Sequence, residues 1–111
     1  MSNINDSTPQ LSVIVCTYNR EKYILRNLES FINQTADQSE FEVVIINNNS
    51  PDNTHEICQD FIKKHPEIST TYVIEKNQGH TYARNRGIVE SKGHILAFID
   101  DDAFVMVSEE L

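Results

Sequence analysis

Long apolar runs and basic residues are both scarce in this sequence. No apolar run approaches the roughly 20 residues that a membrane-spanning helix requires. The polar residues 1–10 contain no basic stretch followed by an apolar one, so they do not resemble a signal peptide. Nine Lys and Arg against 17 Asp and Glu give a net charge of -8, which argues against broad binding to nucleic acid or an anionic membrane. We expect a cytoplasmic protein, with any peripheral membrane contact made through regions outside this chain.

Glycine, proline, cysteine and clustered histidine are sparse as well. Three glycines and three prolines exclude a collagen-like repeat and do not suggest disorder. Cys16 and Cys58 lie in apolar stretches without the spacing of a zinc site or a CxxC pair, so buried, reduced thiols are expected. The four histidines are scattered and read as surface residues. His80 is kept as a candidate because its loop faces the predicted site.

At 111 residues the chain allows one domain, which we expect to consist of a polar tail at 1–10 and a folded part at 11–111. Apolar, β-branched segments predict strands at residues 11–16, 41–46, 71–75 and 94–99. Amphipathic segments between them predict three helices: from Tyr23 to about Gln34, from Pro51 with Ser50 as its cap to a point before Pro66, and from about Thr81 to Ser91 with Gly93 as its terminator.

This alternation indicates βαβ units and a mostly parallel sheet, a three-layer α/β/α fold of the doubly wound kind. Only twelve residues follow Ile99, so we expect the sheet to be incomplete at its C-terminal side.

Polar segments follow all four predicted strands, at residues 17–20, 47–52, 77–80 and 100–102. The carboxyl ends of parallel strands share one edge of a sheet, and ligands bind in the crevice outside that edge. The four segments therefore predict one common site.

Asp100, Asp101 and Asp102 are consecutive carboxylates after an apolar strand, where burial and mutual repulsion should raise their pKa values. If the backbone is extended, Asp100 and Asp102 share a face and Asp101 points away. Two carboxylates on one face suit Mg²⁺ or Mn²⁺. The spacing is equally typical of a solvated acidic turn.

Single residues near the predicted site have two interpretations each. Tyr18 could stack on a nucleobase or cover the sheet edge, and Thr17 and Asn19 could contact a ligand or form the turn after the strand. Arg84, near the start of the third helix, could bind a diphosphate or form a surface ion pair with Glu90.

Taken together, the segments LSVIVCTYNR (11–20), VVIINNNSPDNT (43–54), ARNRGI (83–88) and ILAFIDDD (95–102) resemble family 2 glycosyltransferases of the GT-A fold. The likeness covers nearly all of residues 10–105. It implies an inverting transferase with a nucleotide-diphospho-sugar donor, a UDP-sugar by expectation, and an acceptor that is a sugar, lipid or protein.

The resemblance also implies roles for individual residues. The aspartates match the family's DxD motif: Asp100 or Asp101 would face the ribose, and Asp102 would bind Mn²⁺ or Mg²⁺. The spacing of the acids adds Asp100 as a second candidate metal ligand. Where family members usually carry an acid that reads the base, this chain has Asn48, whose amide can accept or donate. The implied nucleotide contacts are Thr17, Tyr18, Asn19, Asn48, Arg84, Asp100 and Asp101.

The resemblance places the family's general base well after the DxD motif, and Glu109 and Glu110 come too soon to match it. We therefore expect this chain to bind the donor and metal and to lack the catalytic base. A sugar nucleotidyltransferase would show a Gly-rich loop after the first strand, which is absent here. A non-catalytic nucleotide- or metal-binding fragment is the other alternative. Exposed apolar surface that drives self-association is a further hypothesis.

Overall fold

A computed structural model of the chain describes residues 8–32, 34 and 37–105. Its elements, in chain order, are β1 (Leu11–Thr17), α1 (Ile24–Glu29), a 3₁₀ turn (Gln38–Glu40), β2 (Phe41–Asn47), α2 (Thr54–Lys64), β3 (Thr70–Ile74), α3 (His80–Glu90) and β4 (Ile95–Ile99). Most of the predicted tail, residues 1–7, lies outside the described residues. Gln10 already joins the sheet, since its backbone pairs with Glu40 and Ile95.

The described strands form one parallel sheet in the order β3-β2-β1-β4, which confirms the predicted α/β class. The register places Thr17 beside Asn47 and Asn47 beside Ile74, so β1, β2 and β3 end at one edge. The strand order reverses at β1, where a connection runs to each side. A crevice at this reversal is the usual ligand site of such a sheet.

Two apolar layers hold the helices against the sheet, because alternate side chains of β1 and β2 point to opposite faces. The larger layer lies under α1 and α2 and includes Val13, Val43, Leu28, Phe31 and Phe61. Full burial of one such side chain stabilises the fold by about 1.5–3 kcal/mol. The buried residues of the smaller layer, under α3, are Ile14, Val44, Ile46 and Ala83.

Helix α3 approaches the sheet closely because its contact residues are small. A Cβ on Gly87 would lie 2.6 Å from Cγ2 of Ile14, well inside van der Waals contact. Gly87→Ala would therefore push α3 away from β1, and α3 carries one wall of the site described below.

Two predicted helix ends and one predicted helix cap are wrong. Helix α1 ends at Glu29 and not near Gln34, because the chain tightens beyond it into bonds from Phe31 N to Leu28 O and from Ile32 N to Glu29 O. Helix α2 begins at Thr54, after Asn53, and Ser50 does not cap it. The Ser50 hydroxyl instead donates to Asn47 Oδ1 and accepts from the Asn19 N–H.

The wrong helix cap is Gly93, which does not terminate α3, although the helix ends within one residue of the predicted Ser91. That helix ends at Glu90 with Ser91 after it, and Gly93 passes close to β1, where a Cβ would lie 2.7 Å from Ser12 N. The Gly93 N–H donates to Ser12 Oγ at 2.8 Å. Buried Glu42 accepts from the Ser12 hydroxyl and from Lys92 N, which fixes the start of β4 against β1 and β2.

The described helices include none that is long and apolar enough to cross a membrane. Both cysteines are free thiols. Cys58 is buried as expected, whereas Cys16 is only half-buried because it lies near the end of β1, beside the cavity described below.

Candidate functional site

The C-terminal edge of the sheet opens into a cavity of about 520 Å³ between β1, β4 and α3. Its lining mixes apolar side chains from the strands with cations and carboxylates from the following segments: Ile14, Cys16, Tyr18, Arg20, His80, Arg84, Phe98, Ile99, Asp100, Asp101 and Asp102. Three of the four predicted polar segments thus contribute to one cavity.

A second cavity of about 360 Å³ adjoins the first, and Cys16, Tyr18 and His80 line both. The other residues that line it are Thr17, Asn48, Gln78, Gly79 and Ala83. Asn19 lines neither; it lies beside a separate cavity of about 390 Å³ with Arg20 and Asp52. Asn19 has a φ of 58°, a left-handed conformation that Asn tolerates, so its turn-forming role is visible in the structure.

The aspartates form a turn and not an extended strand, so the premise for placing Asp100 and Asp102 on one face is wrong. Strand β4 ends at Ile99, and Ala103 N donates to Asp100 O to close what we call the aspartate turn, residues 100–103. Asp101 nevertheless differs from the other two aspartates, as expected: Asp100 and Asp102 are exposed, while Asp101 is buried.

Asp101 is buried and is engaged by the protein itself. Its Oδ1 lies 3.5 Å from Nε of Arg20. Burial raises the pKa of Asp101, while Thr17 and Arg20 lower it and Asp102 raises it further. With the described residues the buried Thr17 hydroxyl makes no hydrogen bond of normal geometry, yet it lies near enough to Asp101 to favour the charged carboxylate. The predicted direction is thus correct for Asp101, with burial as the larger cause.

The exposed pair fits a metal that is shared with a ligand. Among the described residues, no group of three or more His, Cys, Asp or Glu side chains could hold a metal ion. Asp100 and Asp102 line the larger cavity as two oxygen donors, which suit a hard divalent cation. Phosphate oxygens and water would supply the remaining ligands, as is common for Mg²⁺.

Asn48 is buried, and its carboxamide makes three hydrogen bonds within the protein. Its Nδ2 donates to the carbonyl oxygens of Glu75 and Asn77, both at 2.9 Å, and its Oδ1 accepts from Gly79 N at 3.0 Å. These bonds hold the β3–α3 loop, residues 75–79, beside the smaller cavity. Gly79 itself has a φ of 141°, which L side chains rarely adopt. The position therefore contributes to the cavity through the loop that it holds.

Arg84 lies in the larger cavity, with its guanidinium carbon 4.0 Å from the centre of the Phe98 ring. This stacking keeps the charge beside the aspartate turn. The predicted ion pair with Glu90 is made by another residue: Arg86 donates to Glu90 at 3.0 Å and to Glu75 at 3.1 Å. Arg20 also lines this cavity but pairs with Asp101, whereas the ion pairs found among the described residues do not include Arg84.

Sequence reasoning missed Arg20, Phe98 and Gln78 as individual residues. Arg20 belongs to the polar segment after β1, but nothing local indicates that it pairs with Asp101. Phe98 reads as an ordinary strand residue. The Gln78 side chain donates to the backbone oxygens of Asn48 and Asn49, contacts that depend on the parallel pairing of β2 and β3. The alternation of strands and loops identifies these segments as candidates, but it does not predict which side chains contact each other.

With this geometry in place, comparison with known proteins identifies the class. The family model "Glycosyl transferase family 2" matches residues 12–109. The chain therefore belongs to glycosyl transferase family 2, and its solved structural neighbours are glycosyltransferases of the GT-A fold.

Two structures and one curated relative illustrate the similarity. The mannosyltransferase PcManGT of Pyrobaculum calidifontis, in complex with GDP-Man and Mn²⁺, superposes with a TM-score of 0.82 at 30% identity, over 86% of this chain and 28% of that one. S. aureus TarS 1–349 in complex with UDP gives 0.80 at 30% identity, over 91% and 30%. Glycosyltransferase AglE of Haloferax volcanii is 35% identical over 89% of this chain and 32% of its own length. The chain thus spans less than a third of each.

Proposed function

We propose that this chain forms the donor-binding part of a metal-assisted glycosyltransferase that uses a nucleotide-diphospho-sugar, with a UDP-sugar as the first candidate. The single observation that carries the proposal is the larger cavity, where exposed Asp100 and Asp102 face the same space as Arg84 and Tyr18. Carboxylates for a cation, a cation for phosphate and an aromatic ring for a base are the groups that such a donor requires.

The two cavities divide the proposed donor between them. The base would lie in the smaller one, over Tyr18 and against the β3–α3 loop, and the diphosphate would extend toward the aspartate turn. Arg84 would meet the phosphates, because a guanidinium forms bidentate bonds with phosphate oxygens. Asp101 would act indirectly, by holding Arg20 and the turn in place. The size and polarity of the lining support this arrangement.

A Mn²⁺ or Mg²⁺ ion at Asp100 and Asp102 would stabilise the negative charge that develops on the departing nucleoside diphosphate. PcManGT, solved with GDP-Man and Mn²⁺, and TarS, solved with UDP, support donors of this kind. Inversion at the sugar carbon is part of the proposal and rests on the family resemblance. We assign no general base to the described residues; Glu109 and Glu110 lie outside them.

Calorimetric titration of UDP and of GDP, each with and without Mn²⁺, tests the proposal. The wild-type chain should bind at least one nucleotide more tightly with Mn²⁺. Asp102→Asn should weaken the metal-dependent binding by more than about 100-fold, since even residues that only support metal ligands contribute roughly 10–100-fold. Asp60→Asn is the matched control, because Asp60 is an exposed carboxylate on α2, paired with Lys64 and remote from both cavities.

Binding that is equally tight with and without Mn²⁺, or equal loss in both variants, would contradict the proposed metal site. Donor hydrolysis by the purified chain would further separate an enzyme from a fragment that only binds nucleotide.

A further inference from the structure

Helix α1 carries one polar side chain in its buried stripe. Ile24, Asn27 and Leu28 follow the spacing of a core-facing helix surface, Phe31 continues it just beyond the helix, and each is at most 1% exposed. An apolar residue at position 27 would continue the layer beneath the sheet. Asn27 instead brings a carboxamide into it.

The Asn27 side chain contacts the backbone of the aspartate turn from helix α1. Its Nδ2 donates to Asp100 O at 3.2 Å and to Ala103 O at 2.8 Å, the first and last residues of the turn. The same Asp100 oxygen also accepts the Ala103 N–H that closes the turn. Beyond it, Ser30 Oγ, one residue past α1, accepts from Val105 N, so the helix and its C-cap residue hold the chain on both sides of Ala103.

The Asn27 carboxamide is only half satisfied by these contacts. Its Oδ1 is buried and has no hydrogen-bond partner within the part of the chain that the structure describes. A buried acceptor without a donor destabilises the folded state. Leucine would remove this acceptor, but it would also remove the donor to the Asp100 and Ala103 carbonyls, so the two effects on stability oppose each other. The only hydrogen bonds that the described residues give the Asn27 side chain are therefore those to the aspartate turn.

We propose that Asn27 is a positioning residue for the metal site: it fixes the backbone of the aspartate turn so that Asp100 and Asp102 present their carboxylates to one cation. This inference rests on the proposed function, but its structural half, control of the turn, does not. If Asn27 only filled the core, its replacement would lower stability and nucleotide affinity together. If it positions the turn, its replacement should lower metal-dependent affinity without a matching loss of stability.

Asn27→Leu is the informative variant, with Leu28→Ala as a matched control that weakens the same helix without touching the turn. Three quantities are measured: the thermal midpoint, the hydrogen-exchange rate of the Ala103 amide without ligand, and UDP or GDP affinity with and without Mn²⁺. Asn27→Ala is a second variant in case leucine does not fit.

We expect Asn27→Leu to keep a midpoint near that of the wild type, to exchange the Ala103 amide faster and to lose about tenfold in the metal-dependent part of nucleotide affinity. Metal-free affinity should not change. Leu28→Ala should lower the midpoint and leave the ratio of affinities with and without Mn²⁺ as it is.

Unchanged Ala103 exchange in a folded Asn27 variant would overturn the inference. The inference would also be overturned if Asn27→Leu lost nucleotide affinity only in proportion to its drop in thermal midpoint, as Leu28→Ala is expected to do. If the wild type binds no nucleotide in a metal-dependent way, the proposed function fails, and the ligand-free exchange rate alone decides whether Asn27 positions the turn.

Discussion

On the β2 side of the site, the Asn48 carboxamide makes three hydrogen bonds to the β3–α3 loop, whereas on the β4 side the carboxylates of Asp100 and Asp102 are exposed at the larger cavity. Both segments look alike in sequence, as polar clusters after buried strands. In the structure, one maintains the shape of a cavity and the other is available to a ligand. A polar cluster at a sheet edge can therefore be scaffold or site, and hydrogen-bond partners decide which.

The largest effect is expected when the buried Asn48 amide, which acts as scaffold, is replaced by an acid. In Asn48→Asp the two donated bonds to Glu75 O and Asn77 O are lost, and a carboxylate faces two carbonyl oxygens. We expect a loss of about 3 kcal/mol in the free energy of unfolding, at the upper end of the cost of an unsatisfied buried polar group. Urea denaturation measures it, with exposed Asn49→Asp as control.

Equal stability of the Asn48 and Asn49 variants, together with tighter UDP binding by Asn48→Asp, would show instead that position 48 reads the base directly.

A smaller effect is expected on the β4 side from removal of the cation beside Asp101. Arg20→Met leaves a buried carboxylate without its partner, while Asp101→Asn removes the buried charge itself. Because the Arg20 side chain is 46% exposed, we expect Arg20→Met to cost only about 1 kcal/mol, and Asp101→Asn less. Urea denaturation of both checks the order. Lys64→Met, which breaks an exposed ion pair on α2, is the reference, and an equal loss there would remove any special role for Arg20.

The smallest expected effect is on the reactivity of Cys16, which lines both cavities. Burial raises the pKa of Cys16, although Arg84 lowers it, so alkylation at pH 8 should be slow. Nucleotide at twice its Kd should slow it about threefold further, in proportion to the unbound fraction. Cys58 is the internal control, since burial raises its pKa to about 12 and it should react only on unfolding. An alkylation rate of Cys16 that does not change at saturating nucleotide would show that the ligand binds elsewhere.

The α/β class, the four strands and the shared sheet edge were predictable because they depend on local apolar patterns and on the rule that parallel strands end together. Helix ends were less so. Ser50 has the residue type of a helix cap, but its hydroxyl bonds to Asn47 and Asn19, a choice that only tertiary contacts make.

The detailed site was less predictable for the same reason. Sequence indicates three adjacent carboxylates, but their division into one buried and two exposed depends on the turn after Ile99 and on Arg20, 81 positions earlier in the sequence. Likewise, Asn27 looks like an interruption of an apolar helix face until the turn above it is seen. Sequence spacing identifies candidate site residues, but their individual roles depend on long-range contacts.

The pairing of β4 with β1 has a consequence for how the chain reaches its folded state. β2 and β3 each pair with the strand just before them, but β4 must find β1 across nearly the whole described chain, Leu11 against Ile95. Closing so long a loop has the largest entropic cost of the three pairings. A ligand that bridges the aspartate turn and β1 stabilises the pairing that forms with most difficulty. Nucleotide and metal should therefore slow the loss of β4 from the sheet more than they slow that of any other strand.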